Sequence, residues 1–161
     1  MKHLFFPLMA LSGVLIHLYL DKKKPSPRRV LEIILVWFLA VFSGLSSIFA
    51  FIGHTFAAAE TAAYIGWPAG SPFQYEVAIA NLAFGALGVS CVWLRGNFWI
   101  ATVMAGTVFG FGAAFVHIRE IMLNANYAPG NAGFVLYMDI LGPLTLIILL
   151  TVFKILEKKE L

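Results

Sequence analysis

Five long runs of apolar residues dominate the 161-residue chain and limit the folds that it can adopt. Each run is close to the ~20 residues that an α-helix needs to cross a hydrocarbon core of about 30 Å. The runs are continuous rather than alternating, which favours helices over strands, and a closed barrel would need more segments. The sequence therefore predicts an all-α bundle of five transmembrane helices, forming a single transmembrane domain over residues 1–161, with helices at 4–20, 30–51, 73–94, 98–122 and 134–155.

The composition explains why these runs point to a membrane. Hydrophobic residues make up 61% of the chain and charged residues 12%, whereas a soluble domain has roughly 45–50% apolar and about 25% charged residues. The chain therefore has too little polar surface to cover itself in water. Its one cysteine, Cys91, excludes an internal disulfide and a cysteine-based zinc cluster. We expect an integral membrane protein whose main partner is the lipid bilayer.

The eleven lysines and arginines predict how the helices are oriented. Nine of them fall at one set of predicted helix ends: Lys22, Lys23, Lys24, Arg28, Arg29, Arg95, Lys154, Lys158 and Lys159. Lys2 and Arg119 fall at the other ends. Because positive residues concentrate on the cytoplasmic side of membrane proteins, we expect the N-terminus outside and the C-terminus in the cytoplasm of a prokaryotic inner membrane. The net charge of +3 then reflects topology and attraction to anionic lipid, and no nucleic-acid partner is predicted.

The short connection "RGN" between the third and fourth runs predicts an antiparallel helical hairpin. Small residues on both helices, including Gly106 and Gly110 in G-x-x-x-G spacing, allow helices to approach closely in lipid. We therefore expect the third helix to pack on the fourth. The stretch "SPFQ" predicts the start of the third helix, with Ser71 as its N-cap and Gln74 as a capping-box partner.

Ionisable residues collect on the side opposite the basic clusters. The fourth run closes in "FVHIREIMLN", which holds His117, Arg119 and Glu120. On a rise of 1.5 Å per residue, Glu76 and His117 lie roughly 27 and 28 Å above the inner ends of their helices, so the hairpin would bring them to a similar depth. Ionisable groups in lipid usually face the bundle interior or a wet cavity. We predict a polar site that opens outwards.

The predicted ligand-binding site has seven members: His54, Glu60, Glu76, Asn81, His117, Glu120 and Asp139. Four of them, His54, Glu76, His117 and Glu120, are candidate ligands of a divalent metal, since mixed imidazole and carboxylate ligands suit zinc, iron or manganese. The two Glu-x-x-His pairs of a di-metal bundle are absent. The same groups could instead act as acid and base towards a small or lipid-like molecule. A haem held between His54 and His117 is the weaker alternative.

A structural alternative stands beside this binding hypothesis. Ionisable residues near helix ends often meet only headgroups and water, so Arg119 could pair with Glu120 or lipid phosphate, and Glu76 could complement the dipole at the start of its helix. The chain would then be a structural or accessory subunit of a larger membrane complex, with a homo-oligomer or other membrane subunits as partners. No catalytic residue is assigned, because serine nucleophile motifs, phosphate-binding glycine loops and redox cysteine pairs are absent; enzymatic activity stays open.

The block "IGWPAGSPFQYEVAIANLAFGALG", residues 65–88, resembles a widespread family of small prokaryotic integral membrane proteins of unknown function. The resemblance extends loosely from Gly53 through the fourth predicted helix. It implies a multi-helix membrane fold. It implies no catalytic residue, since the family has no established activity.

Overall fold

The structure is a computed structural model that describes residues 4–24 and 26–160. Within these residues it is helical and contains no strand, which confirms the predicted all-α class. The described α-helices are α1 Phe5–Leu20, α2 Pro27–Trp37, α3 Ser46–Phe56, α4 Ala58–Ile65, α5 Phe73–Ser90, α6 Asn97–Asn124 and α7 Phe134–Lys159, and a π-helical segment, Phe38–Leu45, lies between α2 and α3. The short helix α4 was not predicted from the sequence.

The longest helical stretch joins α2, the π-helical segment and α3 without a break. It begins at Ser26, whose Oγ accepts a hydrogen bond from the backbone N–H of Arg29 at 3.2 Å. Pro27 occupies the first turn, where its missing N–H leaves no bond unmade. The stretch extends beyond the predicted range 30–51 at both ends, because polar capping residues and the His54 turn belong to the helix although they lie outside the apolar run.

Helix α5 packs on the π-helical segment and on α3 through glycines. A Cβ atom built on Gly88 would lie 2.6 Å from both the Cα of Gly44 and the carbonyl oxygen of Leu39, and one on Gly85 would lie 2.5 Å from the Ile48 side chain. The backbones therefore approach to a distance that excludes larger residues. Gly85 and Gly88 of α5 therefore serve the contact with the preceding helical stretch. The prediction that small residues of this helix pack it on the next one, α6, is wrong for these two glycines.

Helix α6 pairs with α7. A Cβ atom on Gly110 would lie 2.7 Å from Cγ of Pro143 and 3.1 Å from the carbonyl oxygen of Asp139. Gly106, the other glycine of the G-x-x-x-G spacing, has no atom within 4 Å of its Cβ position. Only one glycine of the pair is therefore used in packing. Its close approach holds the first turns of α7 against the second half of α6.

One end of the bundle is rich in ion pairs, and we call it the basic end. Arg29 contacts Asp21 at 2.6 Å and Glu32 at 2.8 Å, and Arg28 contacts Glu160 at 3.1 Å. The hydrogen bond from Arg29 lowers the pKa of the Asp21 carboxyl. The basic end is defined by Asp21, Arg28, Arg29, Glu32, Arg95, Lys154, Glu157 and Glu160. These pairs bring the end of α1, the start of α2, the α5–α6 connection and the end of α7 together.

Within the described part of the chain, three helical stretches are long and apolar enough to cross a membrane: Pro27–Phe56, Asn97–Asn124 and Phe134–Lys159. Helix α1 is apolar but has 16 residues, and α5 has 18. The structure therefore has the helices of a membrane protein, whereas the predicted number of five spans and the orientation of the chain stay predictions. Lys2, which contributed to the orientation, lies outside the described residues.

Replacing Gly88 by alanine should destabilise the fold, because the added methyl group would meet the backbone of Gly44 and Leu39. Overpacking of this kind costs about 1–3 kcal/mol. Gly106→Ala is the matched control, since it places the same methyl group in open space and should stabilise α6 by up to ~1 kcal/mol through helix propensity. Thermal unfolding of both variants in one detergent measures the difference. Equal stabilities would contradict the glycine contact.

Candidate functional site

The end of the bundle opposite the basic end holds two buried histidines, and we call it the polar end. It is formed by the end of α3, by α4, by the start of α5, by the end of α6 and by the start of α7. His54 lies in the last turn of α3, and His117 lies two turns before the end of α6. The two residues are 8% and 6% exposed, respectively. Each is the centre of its own hydrogen-bonded group.

His117 joins three parts of the chain. Its Nδ1 lies 2.7 Å from Oδ1 of Asn131, in the connection between α6 and α7. Its Nε2 lies 3.5 Å from Oδ2 of Asp139, on α7. Asn131 is completely buried, while the side chain of Asp139 is 25% exposed. One imidazole therefore contacts α6, the following connection and α7. The Asp139 carboxylate is the part of this group that is exposed at the surface.

The amide group of Asn131 fixes which proton His117 carries. Its Nδ2 donates to the carbonyl oxygen of His117 at 3.2 Å and to that of Asn126 at 2.8 Å. Because both carbonyl oxygens can only accept, the amide nitrogen must face them, and Oδ1 must face the imidazole. Oδ1 is itself an acceptor, so Nδ1 of His117 carries a proton and donates it.

The connection between α6 and α7 is also bonded to α4. Asn126 donates from Nδ2 to the carbonyl oxygen of Ile65 at 3.0 Å, and the backbone N–H of Gly130 donates to the carbonyl oxygen of Tyr64 at 2.9 Å. Ala125 has a φ of 49°, the left-handed conformation that commonly ends a helix. Residues 125–133 are thus held by α4 on one side and by His117 on the other.

The contact between His117 and Asp139 requires one further proton. With Nδ1 protonated, a neutral imidazole presents a lone pair at Nε2, and an ionised carboxylate presents only lone pairs. Two such acceptors repel, whereas a proton on either atom makes a hydrogen bond possible, and this bond is charge-assisted when the proton is on the imidazole. The charged side chains on the next turn of α6 have other partners: Arg119 lies 3.9 Å from Glu120, which accepts a hydrogen bond from Asn124 at 2.8 Å.

His54 is held by Gln74, which is 3% exposed. Nε2 of Gln74 donates to the carbonyl oxygen of Ala58 at 2.7 Å and lies 3.4 Å from Nδ1 of His54. Gln74 therefore joins the start of α5 to the junction of α3 and α4. It does not cap its own helix, because α5 begins after Pro72 without a side-chain cap. The predicted capping box with Ser71 is wrong.

Three of the predicted site residues lie apart from these two centres. Glu60 and Glu76 are exposed in the first turns of α4 and α5, where a carboxylate complements the helix dipole. Asn81 donates to the carbonyl oxygen of Val77 in its own helix at 2.9 Å. Among the residues that the structure describes, Glu76 forms no ion pair with a histidine. The expected meeting of Glu76 with His117 therefore gains no support.

The described part of the chain contains no cluster of metal ligands. Across residues 4–24 and 26–160, no three or more His, Cys, Asp or Glu side chains are placed to hold a metal ion. Both ring nitrogens of His117 already face other groups, and Glu120 is bonded to Asn124. The predicted ligand set of His54, Glu76, His117 and Glu120 is thus not supported. The divalent metal and the haem remain predictions from the sequence.

Three neutral amides of the polar end were not predicted as site residues: Asn126, Asn131 and Gln74. Apart from Asn81, the prediction relied on ionisable groups, and amides carry no charge. The signal was nevertheless present in "NANYAPGNAG", which places three asparagines in one short connection. Asparagine side chains in turns often bond to nearby backbone groups. In a chain predicted to lie in lipid, such a cluster indicates a structured loop.

A family model matches residues 2–159, nearly the whole chain, and describes a family of unknown function, DUF6790. No curated protein and no solved structure matches the chain.

Replacing Asn131 by alanine should strongly destabilise the polar end. The change leaves Nδ1 of His117 and the carbonyl oxygen of Asn126 without the partner that they have now, and each buried group left unsatisfied costs about 1–3 kcal/mol. Asn124→Ala is the control, because Asn124 is exposed and its loss should stay within about 0.5 kcal/mol. Thermal unfolding in lipid nanodiscs compares the two. Similar losses would show that Asn131 does not hold the loop.

Proposed function

The chain belongs to this family of unknown function, and from that premise we propose that it is a proton-responsive integral membrane protein. Its buried His117–Asp139 pair binds one proton, and the bound proton holds the connection between α6 and α7 in place. Of the seven predicted site residues, the proposal keeps this pair. Asn131, which was not predicted, positions the imidazole. The ligand is the proton itself.

The membrane part of the proposal is supported by the helices and the charges. Three stretches are long and apolar enough to cross a membrane, and α1 and α5 run between the same two ends of the bundle. We infer five crossings, with the shorter helices α1 and α5 accommodated by local thinning of the bilayer. Nine of the eleven cations fall at the basic end, so this end would be cytoplasmic and the N-terminus outside. The polar end would then face the outer side of a prokaryotic inner membrane.

One observation carries the proton part: Nε2 of His117 faces the Asp139 carboxylate at 3.5 Å while Nδ1 is already committed to Asn131. Histidine is the side chain whose charge changes in the pH range that cells experience. Ionisable groups in a membrane bundle are costly and commonly functional. With the proton, the pair joins α6 to α7; without it, two acceptors face each other and the contact opens.

Asn131 carries this change to the loop. When the imidazole turns away from Asp139, its Nδ1 leaves the amide oxygen of Asn131, and residues 125–133 lose their bond to the α6 side chain. The bonds to Tyr64 and Ile65 of α4 do not involve the proton. Acid therefore favours the closed polar end, and alkali favours an opened loop whose backbone is accessible to water.

A second function is that of a structural or accessory subunit of a membrane complex. It is favoured by the fact that the hydrogen-bonding atoms around His117 and Asn131 all have partners. Every polar atom of the Asn131 side chain and both ring nitrogens of His117 have partners inside the chain. In that case the pair would be a permanent helix-to-helix contact, and the loop would not respond to pH.

Asp139→Asn distinguishes the two functions. An asparagine can donate from its amide to the lone pair on Nε2 without an added proton, so the contact should persist while its pH dependence disappears. We expect the wild-type protein in lipid nanodiscs to lose about 1–3 kcal/mol of stability as the pH rises from about 5 to 8. The Asp139→Asn protein should show a flat profile. Thermal unfolding and hydrogen exchange of the amides of residues 125–133 are the measurements.

Glu76→Gln, which removes an exposed carboxylate, is the matched control and should keep the wild-type pH profile. Asp139→Ala, which can neither donate nor accept, should be destabilised at every pH. A wild-type profile as flat as that of Asp139→Asn would refute the proton function and favour the accessory subunit.

A further inference from the structure

A shallow groove, largely open to its surroundings, lies at the basic end, where the start of α6 meets the end of α7. It has a volume of about 380 Å³ and is lined by Ile100, Leu150, Thr151, Lys154, Ile155 and Lys158. Ile100 and His117 are separated along α6 by about 25 Å. The groove is therefore separate from the proton-binding pair, and the inference drawn from it rests on the membrane part of the proposed function but not on the proton part.

The lining of the groove changes from apolar to basic along α7. Leu150 and Ile155 form its apolar part, and Lys154 and Lys158 stand one turn apart towards the end of the helix. Lys158 lies about 12 Å beyond Leu150 on the helical rise. The groove thus runs from the apolar body of the bundle to its charged end.

The two lysines differ in how much of their charge is free. Nζ of Lys154 lies 2.7 Å from Oε2 of Glu157. Lys158 is exposed and forms no ion pair within residues 4–24 and 26–160. A lysine of this kind can lay its stem along apolar surface and hold its ammonium group at the level of lipid headgroups. The rim of the groove therefore presents an unneutralised positive charge beside an apolar floor.

We propose that this groove binds an anionic phospholipid. An acyl chain lies against Ile100, Leu150 and Ile155, and the headgroup phosphate contacts Lys158 and, through the charge shared with Glu157, Lys154. Charge complementarity and position carry the assignment: α6 and α7 are both long and apolar enough to cross a membrane, and the groove opens between them where cations gather. An anionic lipid matches both the apolar and the basic part of the lining. A zwitterionic lipid would place its positively charged headgroup amine near the lysines, which repel it.

The test uses the full-length protein in detergent, titrated with phosphatidylglycerol and followed by native mass spectrometry. Lys158→Gln should weaken phosphatidylglycerol binding about fivefold, because a free lysine near anionic lipid contributes about a factor of five. Lys154→Gln/Lys158→Gln should weaken it at least about tenfold, because Lys154 shares its charge with Glu157. Lys22→Gln/Lys23→Gln makes the same change of charge at the same end, on exposed residues outside the groove, and should change binding less than twofold. Phosphatidylcholine should bind more weakly than phosphatidylglycerol to the wild-type protein.

The apolar half has its own matched pair. Ile155→Trp fills the groove and should reduce phosphatidylglycerol binding at least about fivefold, while Ile148→Trp, on an exposed residue of the same helix outside the groove, should not. Equal effects of the two tryptophans, or equal effects of the two lysine pairs, would show only general contact with lipid and overturn the proposal. Displacement of the lipid by inorganic phosphate alone would do the same. If the double lysine variant fails to fold, Lys158→Gln decides, because this exposed side chain has no ion pair to lose among the described residues.

Discussion

Asn131 is completely buried and uses its amide to bind two carbonyl oxygens and one imidazole nitrogen. A buried polar group that loses its partner costs free energy, so each polar atom of this side chain is bonded inside the chain. This constraint determines the rest of the polar end. The amide sets the protonated nitrogen of His117, the imidazole then turns its other nitrogen to Asp139, and the loop that carries Asn131 is drawn against both helices.

The body of the bundle is held by a different force. The backbones of α5 and the π-helical segment meet at Gly88 and Gly44, and α6 meets α7 where Gly110 lies against Pro143. These contacts depend on shape and are made by glycines, a proline and backbone atoms, with no charged side chain. The middle of the bundle is thus held by close packing, the basic end by ion pairs among partly exposed side chains, and the polar end by a small number of hydrogen-bonded polar side chains.

The sequence predicts the helical class well because long apolar runs have few other folds available in lipid. It also singles out His117 and Asp139, whose side chains lie 3.5 Å apart in the structure. It does not predict that Glu76 stays on the surface, since depth along a helix can be counted from the sequence, whereas the direction of a side chain depends on which neighbours the helix meets. The same reason accounts for α5 packing on the helix before it. Asn131 and Gln74 escaped prediction because a neutral amide becomes informative only when its burial and partners are known.

The π-helical segment Phe38–Leu45 has a consequence for the second histidine. An α-helix turns by about 100° per residue, and a π-helical turn contains more residues than an α-helical one, so the segment resets the angular position of everything that follows it. His54 lies beyond this reset and reaches Gln74 at 3.4 Å. An α-helical segment of the same eight residues would keep the hydrophobicity and the helix, yet would rotate the imidazole away from α5. The π-helical segment therefore sets the direction in which the side chains of α3 point, separately from those of α2.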